Sequence, residues 1–163
     1  MLEGTALKYG DNINTDIISP PQYMELSIAE AAQYSMSAVD PDFYRKAKRG
    51  DIFVAGGNLG SGSSRETSPL TFKYLGISVV IAKSFARIFY RNLINVGIPA
   101  IECKDTNRIR EGDQLQVDID QGCIKNLTRN EQYKCQKLPE HIMKIVEAGG
   151  LFNYLFENAP GDK

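Results

Sequence analysis

Along the chain, apolar runs of strand length alternate with segments whose apolar residues recur at helical spacing, and turn-forming residues separate them. Residues 2–9 alternate loosely and predict a strand, followed by a turn built from Gly10, Asp11, Asn12 and Asn14 ahead of Asp16-Ile17-Ile18-Ser19. Pro20-Pro21 breaks regular structure, so an exposed loop is expected through Leu26. Ser27 opens a short helix with Glu30 as its capping-box partner, and a further turn or two follows Pro41, with Asp40 as cap and Pro41 at the first helical position.

Residues 51–55 predict a buried strand that runs into a Gly/Ser-rich turn. Either Ser63 caps the next helix, with Glu66 completing a capping box, or Ser68 caps it with Pro69 at the first position. In that helix Leu70 and Tyr74 share one face, Gly76 ends it, and the apolar run 77–82 is a second strand, giving a parallel βαβ unit with a right-handed crossover. Ser84 is expected to cap a second helix with Phe85, Ile88, Phe89 and Leu93 as its buried stripe, stopped by Gly97 before a strand at 98–102. Residues 114–119 alternate with period two, and after the turn Asp120-Gln121-Gly122 the segments 123–127 and 133–135 return as antiparallel strands, a small β layer closing the core. Pro139 starts a helix carrying Ile142, Ile145 and Val146, and Gly149-Gly150 separates it from a short helix at 151–156.

At 163 residues and 42% hydrophobic, the chain supports one α/β domain over 1–163 with a real core. The 19 basic and 20 acidic residues nearly cancel and form no basic block, so neither nucleic acid nor an anionic membrane is the expected partner. No apolar run reaches the roughly 18 residues of a membrane span, and Met1-Leu2-Glu3 lacks a basic start, so a cytoplasmic location is expected. Cys103, Cys123 and Cys135 match no disulfide framework and no paired ligand spacing, and read as free thiols with no metal on this chain. The lone His141 reads as a solvated helix residue.

The candidate chemistry is concentrated in the turn from Val54 to Glu66. Its glycines permit positive φ and close backbone approach, so that a row of amides can face one concavity and favour an anion. Gly57-x-x-x-x-Gly62 has P-loop spacing, but Ser63 stands where the phosphate-binding lysine must be. Gly60-x-Gly62 begins a dinucleotide fingerprint, yet Arg65 occupies the third glycine position. A nucleophile elbow would need a histidine base, and His141 lies in an unrelated helix. What remains is Ser63, Ser64 and Arg65 at a helix mouth, a set suited to gripping a carboxylate bidentately while a hydroxyl acts beside it.

The segments Gly10-Asp-Asn-Ile-Asn-Thr-Asp-Ile-Ile18, Gly60-Ser-Gly-Ser-Ser-Arg-Glu66 and Ile81-Ala-Lys-Ser-Phe-Ala-Arg-Ile88, in that order, resemble the swivel domain of the aconitase superfamily. Within it they are most similar to the short-form small subunits of isopropylmalate dehydratases. The resemblance implies a single swivelling β/β/α domain of the aconitase C-terminal type, and a hydro-lyase active only with a large subunit. That partner would carry a 4Fe-4S cluster acting as Lewis acid on the substrate's hydroxyl and a carboxylate. By the same resemblance Ser63 is the catalytic base, and Ser64, Arg65, Thr15 and Asp16, the last two beside the active-site face, bind substrate. Tyr23-Met24-Glu25-Leu26 would be the substrate-specificity loop, with acidic Glu25 where homoaconitase-type members present an arginine. An alkylmalate-type diacid is therefore expected, 3-isopropylmalate first and dimethylmalate or citramalate next, ahead of homocitrate. Thr67 departs from the pattern, standing where relatives more often carry His or Gln. A non-catalytic regulatory or anion-binding module using the same turn is the alternative of a different class.

Overall fold

The computed structural model describes residues 1–63 and 66–158. Its strands are β1 (Leu2–Lys8), β2 (Ile52–Val54), β3 (Val79–Ala82), β4 (Ala100–Glu102), β5 (Gln114–Asp118), β6 (Cys123–Asn126) and β7 (Glu131–Lys134). They form one seven-stranded sheet in the order β4-β3-β2-β1-β5-β6-β7. The half from β1 to β4 is parallel, and β1, β5, β6 and β7 pair antiparallel. The two halves differ in sequence pattern for a physical reason. β2 and β3 are buried on both faces and read as continuous apolar runs, whereas β5 alternates buried Leu115 and Val117 with more accessible neighbours. The antiparallel strands thus extend the parallel sheet through the pairing of β1 with β5, rather than forming a separate layer.

Helices α4 (Thr67–Leu75) and α5 (Arg87–Asn95) follow β2 and β3, as the βαβ pattern requires. Gly76 ends α4 in the left-handed conformation, with φ 84°. A relay of rings fixes α4 and α5 over the sheet: Tyr9 stacks on Phe53 at 5.2 Å, Phe53 meets Phe72 at 4.7 Å, and Phe72 meets Phe89 edge-on at 6.5 Å. On α4 it is Ser68, Pro69, Thr71, Phe72 and Leu75 that face inward, so the face shared by Leu70 and Tyr74 is the outer one. On α5 the buried residues are Phe89, Leu93 and Ile94; Phe85 is half-buried ahead of the helix, and Ile88, expected in the stripe, is 51% exposed. The shorter helices are α1 (Thr15–Ile18), α2 (Ile28–Ala31) and α3 (Phe43–Lys46), with α6 (Glu140–Glu147) and α7 (Leu151–Glu157) at the end of the chain.

Several expected caps are used differently. Ser27 does cap α2, its Oγ accepting from the Glu30 amide at 3.2 Å and donating to the Glu30 carboxylate at 2.9 Å. Asp40 does not cap a helix at Pro41. Its carboxylate takes the Tyr9 hydroxyl and Lys46 Nζ, each at 2.6 Å, and α3 begins two residues after Pro41. Neither Ser63 nor Ser68 caps α4, whose N-cap is Glu66 with no side-chain cap bond. Ser68 is buried and donates to the Thr15 carbonyl at 3.4 Å. Ser84 is likewise released from capping, because α5 starts after Ala86.

Under the antiparallel half lies a buried polar knot. Asp113, 2% exposed, accepts from the Arg110 amide (2.9 Å), Asn126 Nδ2 (2.8 Å) and Arg129 Nε (3.0 Å). Burial alone would raise its pKa, but these three donors outweigh it and hold the carboxyl below its ordinary value. A depressed folded-state pKa contributes stability that is complete above the unfolded carboxyl's range and is lost as pH falls through the folded value. Asp113→Ala should cost about 3–5 kcal/mol in urea unfolding at neutral pH, because it strands buried donors. Its deficit against the wild type should shrink as pH drops through the acid range; a deficit independent of pH would contradict the assignment.

Gly60 generates a second prediction. It sits at φ 86°, and a Cβ built there would overlap the ring of Phe89. Gly60→Ala should therefore lower stability by about 2–5 kcal/mol through backbone strain and overpacking, measured by thermal melting. An unchanged melting temperature would show that the turn is not clamped against α5.

Candidate active site

Backbone, rather than side chains, joins the three motif segments. The turn after β2 receives the first loop on one side: the Gly56 amide donates to the Gly10 carbonyl (3.0 Å), the Asn12 amide to Gly57 (2.9 Å), the Gly60 amide to Ile13 (2.7 Å) and the Thr15 amide to Ser61 (2.9 Å). On the other side the Lys83 amide donates to Gly56 (3.0 Å), the Leu59 amide to Ser84 (3.0 Å) and the Ala86 amide to Leu59 (2.9 Å). Asp11 Oδ1 accepts from the Gly57 amide at 2.7 Å, and Ser84 Oγ accepts from the Asn58 amide at 2.8 Å. A Cβ at Gly56 would overlap the Asp11 carboxylate, so only glycine lets this side chain reach the backbone. Asp11 and Ser84 are thus two of the side chains that hold the turn. The first was legible as a turn residue, the second only as a cap.

Ser63 emerges from this turn exposed to solvent. Its carbonyl accepts from the hydroxyl of Thr15 at 3.0 Å, and Thr15 itself is 2% exposed. Thr15 can be buried because α1 starts there, capped by Asn14, whose Oδ1 accepts from the Ile17 amide at 2.9 Å. The bend read from Gly10 and the asparagines is therefore the start of a single-turn helix. Ser63 and Thr15 line a cleft of ≈ 270 Å³ together with Gly60, Gly62, the first turn of α5 from Ala86 to Phe89, and Asn92. Asp16 lies on the exposed side of α1. Ser64 and Arg65 lie outside the described residues.

Of the expected specificity loop, Tyr23 ends a single 3-10 turn and stacks on Tyr34 with ring centroids 3.8 Å apart, while Met24, Glu25 and Leu26 are exposed. None of the four lines the cleft around Ser63. The cleft's apolar lining comes instead from Ala86, Ile88 and Phe89. Helical periodicity assigned Ile88 to the core and so concealed its place at the cleft.

The cysteines are free, and the sheet register brings them closer than their spacing suggested, Cys123 pairing with Lys134 beside Cys135. Burial, and then the proximity of Cys103 and Cys123, push the Cys135 thiol up to about 12, and burial raises Cys103 as well. Among the described residues no group of three or more His, Cys, Asp or Glu side chains is arranged to hold a metal ion. No described helix is long and apolar enough to cross a membrane.

The aconitase C-terminal domain family model matches residues 5–106, which include all three motif segments. The isopropylmalate/citramalate isomerase small subunit of Methanocaldococcus jannaschii is 54% identical over 157 residues, covering 95% of this chain and 94% of that relative. The 3-isopropylmalate dehydratase small subunit of Caldanaerobacter subterraneus subsp. tengcongensis is 49% identical over 158 residues, covering 96% and 98%. In three dimensions the crystal structure of 3-isopropylmalate dehydratase (LeuD) from M. jannaschii superposes with a TM-score of 0.91 at 44% identity, over 96% of this chain and 93% of that one. Sequence motifs, sheet order and full-length similarity agree, and the chain belongs to the aconitase C-terminal domain family, among its 3-isopropylmalate dehydratase small subunits.

Proposed function

We propose that this chain is the small subunit of a two-subunit hydro-lyase that interconverts 2- and 3-isopropylmalate, a step of leucine biosynthesis, and that Ser63 is its base. The observation that carries the reading is the placement of Ser63: exposed, on a turn bonded to both flanking motifs, with its backbone held by buried Thr15. The reaction removes a proton from the carbon next to a carboxylate and expels hydroxide from the neighbouring carbon, then returns water in the opposite sense. A serine hydroxyl is too weakly acidic to take that proton unaided. It needs an environment that stabilises the alkoxide, and the charge of Arg65 together with the amides of a glycine turn would supply it. Arg65 and Ser64 would also hold a substrate carboxylate, with Thr15 and Asp16 supporting the same face.

The 4Fe-4S cluster that the family resemblance implies belongs on this reading to the large subunit, and among the described residues no group of three or more His, Cys, Asp or Glu is arranged to hold a metal ion. The specificity loop Tyr23-Met24-Glu25-Leu26 would come over the substrate's alkyl group once the subunits close, its acidic Glu25 disfavouring a third carboxylate. Citramalate is the second reading for the substrate, favoured by the name of the 54% identical M. jannaschii relative. The isopropyl and methyl side groups differ by two carbons, each changing binding by only ~1–3 kcal/mol, so an enzyme that turns over both diacids at different rates is physically reasonable.

In the reconstituted complex, Ser63→Ala should lower kcat by about 10²–10⁴-fold with little change in KM, because the base acts in the transition state. Arg65→Lys should mainly raise KM, since an ammonium cannot reproduce the bidentate fork. Near-normal kcat for Ser63→Ala would remove the mechanism. Turnover of 3-isopropylmalate and citramalate but not homocitrate is expected from the wild-type complex, whereas preference for homocitrate would mean that the loop around Glu25 does something else.

A further inference from the structure

The first amides of the turn after β2 are already spent. Those of Gly56, Leu59 and Gly60 donate to backbone carbonyls, and those of Gly57 and Asn58 donate to Asp11 Oδ1 and Ser84 Oγ. Backbone donors for an anion therefore begin at Ser61, and a serine base, whose oxygen must carry negative charge, calls for more. Besides Ser63 itself, the polar side chains lining the cleft are Thr15, Arg87 and Asn92. The Thr15 hydroxyl is committed to the Ser63 carbonyl and Arg87 is exposed, whereas Asn92 is half-buried. The Asn92 carboxamide makes no hydrogen bond with any described residue. The lack of a bond does not by itself mark it out, because Asn95 and Asn107 have none either. What separates Asn92 from those two is that it lines the cleft with Ser63.

Its place in α5 is one from which the helix gains nothing. Asn92 lies inside the helix, four residues after Ile88 and three after Phe89, and all three line the cleft. Asparagine is a poorer residue than alanine in a helix interior, and a half-buried amide without a partner adds a desolvation cost. Neither cost is offset within the isolated chain. A primary amide offers two N–H donors on a short side chain, and such a donor bonds more strongly as the oxygen it faces gains charge. Resting on the reading of Ser63 as base, we infer that Asn92 is a positioning residue that acts through it, Nδ2 donating to Ser63 Oγ and stabilising that oxygen in its ionised form. The same bond weakens the alkoxide somewhat as a base while populating it, so the gain in rate is smaller than the gain in ionisation. Once the substrate proton has passed to Oγ, the amide turns from holding an alkoxide to holding a hydroxyl, and no further group is consumed.

Turnover of 3-isopropylmalate by the reconstituted complex, with thermal melting of the full-length chain alone followed in parallel, tests this role. Asn92→Ala should lower kcat about tenfold with KM nearly unchanged. The same variant chain should melt at or above the wild-type temperature, because alanine is the better helix former and no described bond is lost. Asn92→Asp keeps the shape but sets a carboxylate against the ionising oxygen, so its kcat should fall below that of Asn92→Ala. A residue needed only for packing would give the reverse order, with the isosteric aspartate the milder change and the alanine variant melting lower. In the Ser63→Ala background neither substitution should slow turnover further. The reverse order, a rise in KM without loss of kcat, or losses that add to that of Ser63→Ala would overturn the inference. Failure of the reading beneath it is seen separately: full kcat in Ser63→Ala strikes the base assignment, whereas a slow Ser63→Ala beside wild-type kcat in both Asn92 variants strikes the role of Asn92 alone.

Discussion

The site depends on a backbone contact that tolerates no side chain, the hydrogen bond from the Gly57 amide to Asp11 with bare Gly56 beneath the carboxylate. Around it the loop after β1 and the segment after β3 bond to opposite sides of the turn after β2. Since these strands are parallel neighbours in the order β3-β2-β1, their C-terminal ends open on the same edge of the sheet. That edge is where α/β sheets place ligands. Three sequence-distant motifs therefore meet because topology puts three strand ends side by side, and glycines let their backbones touch.

Legibility followed the kind of interaction involved. Period-two alternation identified β5, buried apolar runs identified β2 and β3, and Gly76 marked the end of α4, because each signal is local. Capping hydroxyls were harder. Ser68 and Ser84 look like caps in sequence, yet both hydroxyls bond to distant backbone, at Thr15 and Asn58. A serine serves a local or a remote partner equally well, and only the fold decides. Asp40 was diverted in the same way by Tyr9 and Lys46. Ile88 failed as a core residue because a helix laid over a sheet buries a narrower stripe than its apolar residues define, and the surplus faces the cleft. The convergence of the cysteines depended on strand register, which no spacing rule expresses.

For the site itself, the glycine-serine turn around Ser63 was legible and Thr15 was named beside it by resemblance, but the burial of Thr15, its bond to the Ser63 carbonyl and the contribution of α5 to the cleft were not. The loop from Tyr23 to Leu26 stands apart from Ser63 in the isolated chain, Tyr23 being held on Tyr34 instead. This division suits a chain that supplies one wall of an active site. The turn that carries Ser63 is bonded to both flanking motifs, while the loop from Tyr23 to Leu26 lies on the exposed surface away from it.

The central claim is that Thr15 acts through Ser63, holding the carbonyl of that residue so that its hydroxyl is presented to substrate. A double-mutant cycle on the reconstituted complex tests this most directly, with Thr15→Val, Ser63→Ala and both together, and Thr15→Ser as the conservative control. If the account holds, Thr15→Val lowers kcat with KM nearly unchanged, Thr15→Ser restores most of it, and the double variant is no slower than Ser63→Ala alone. Independent, additive losses in the double variant, or full kcat with Thr15→Val, would contradict it.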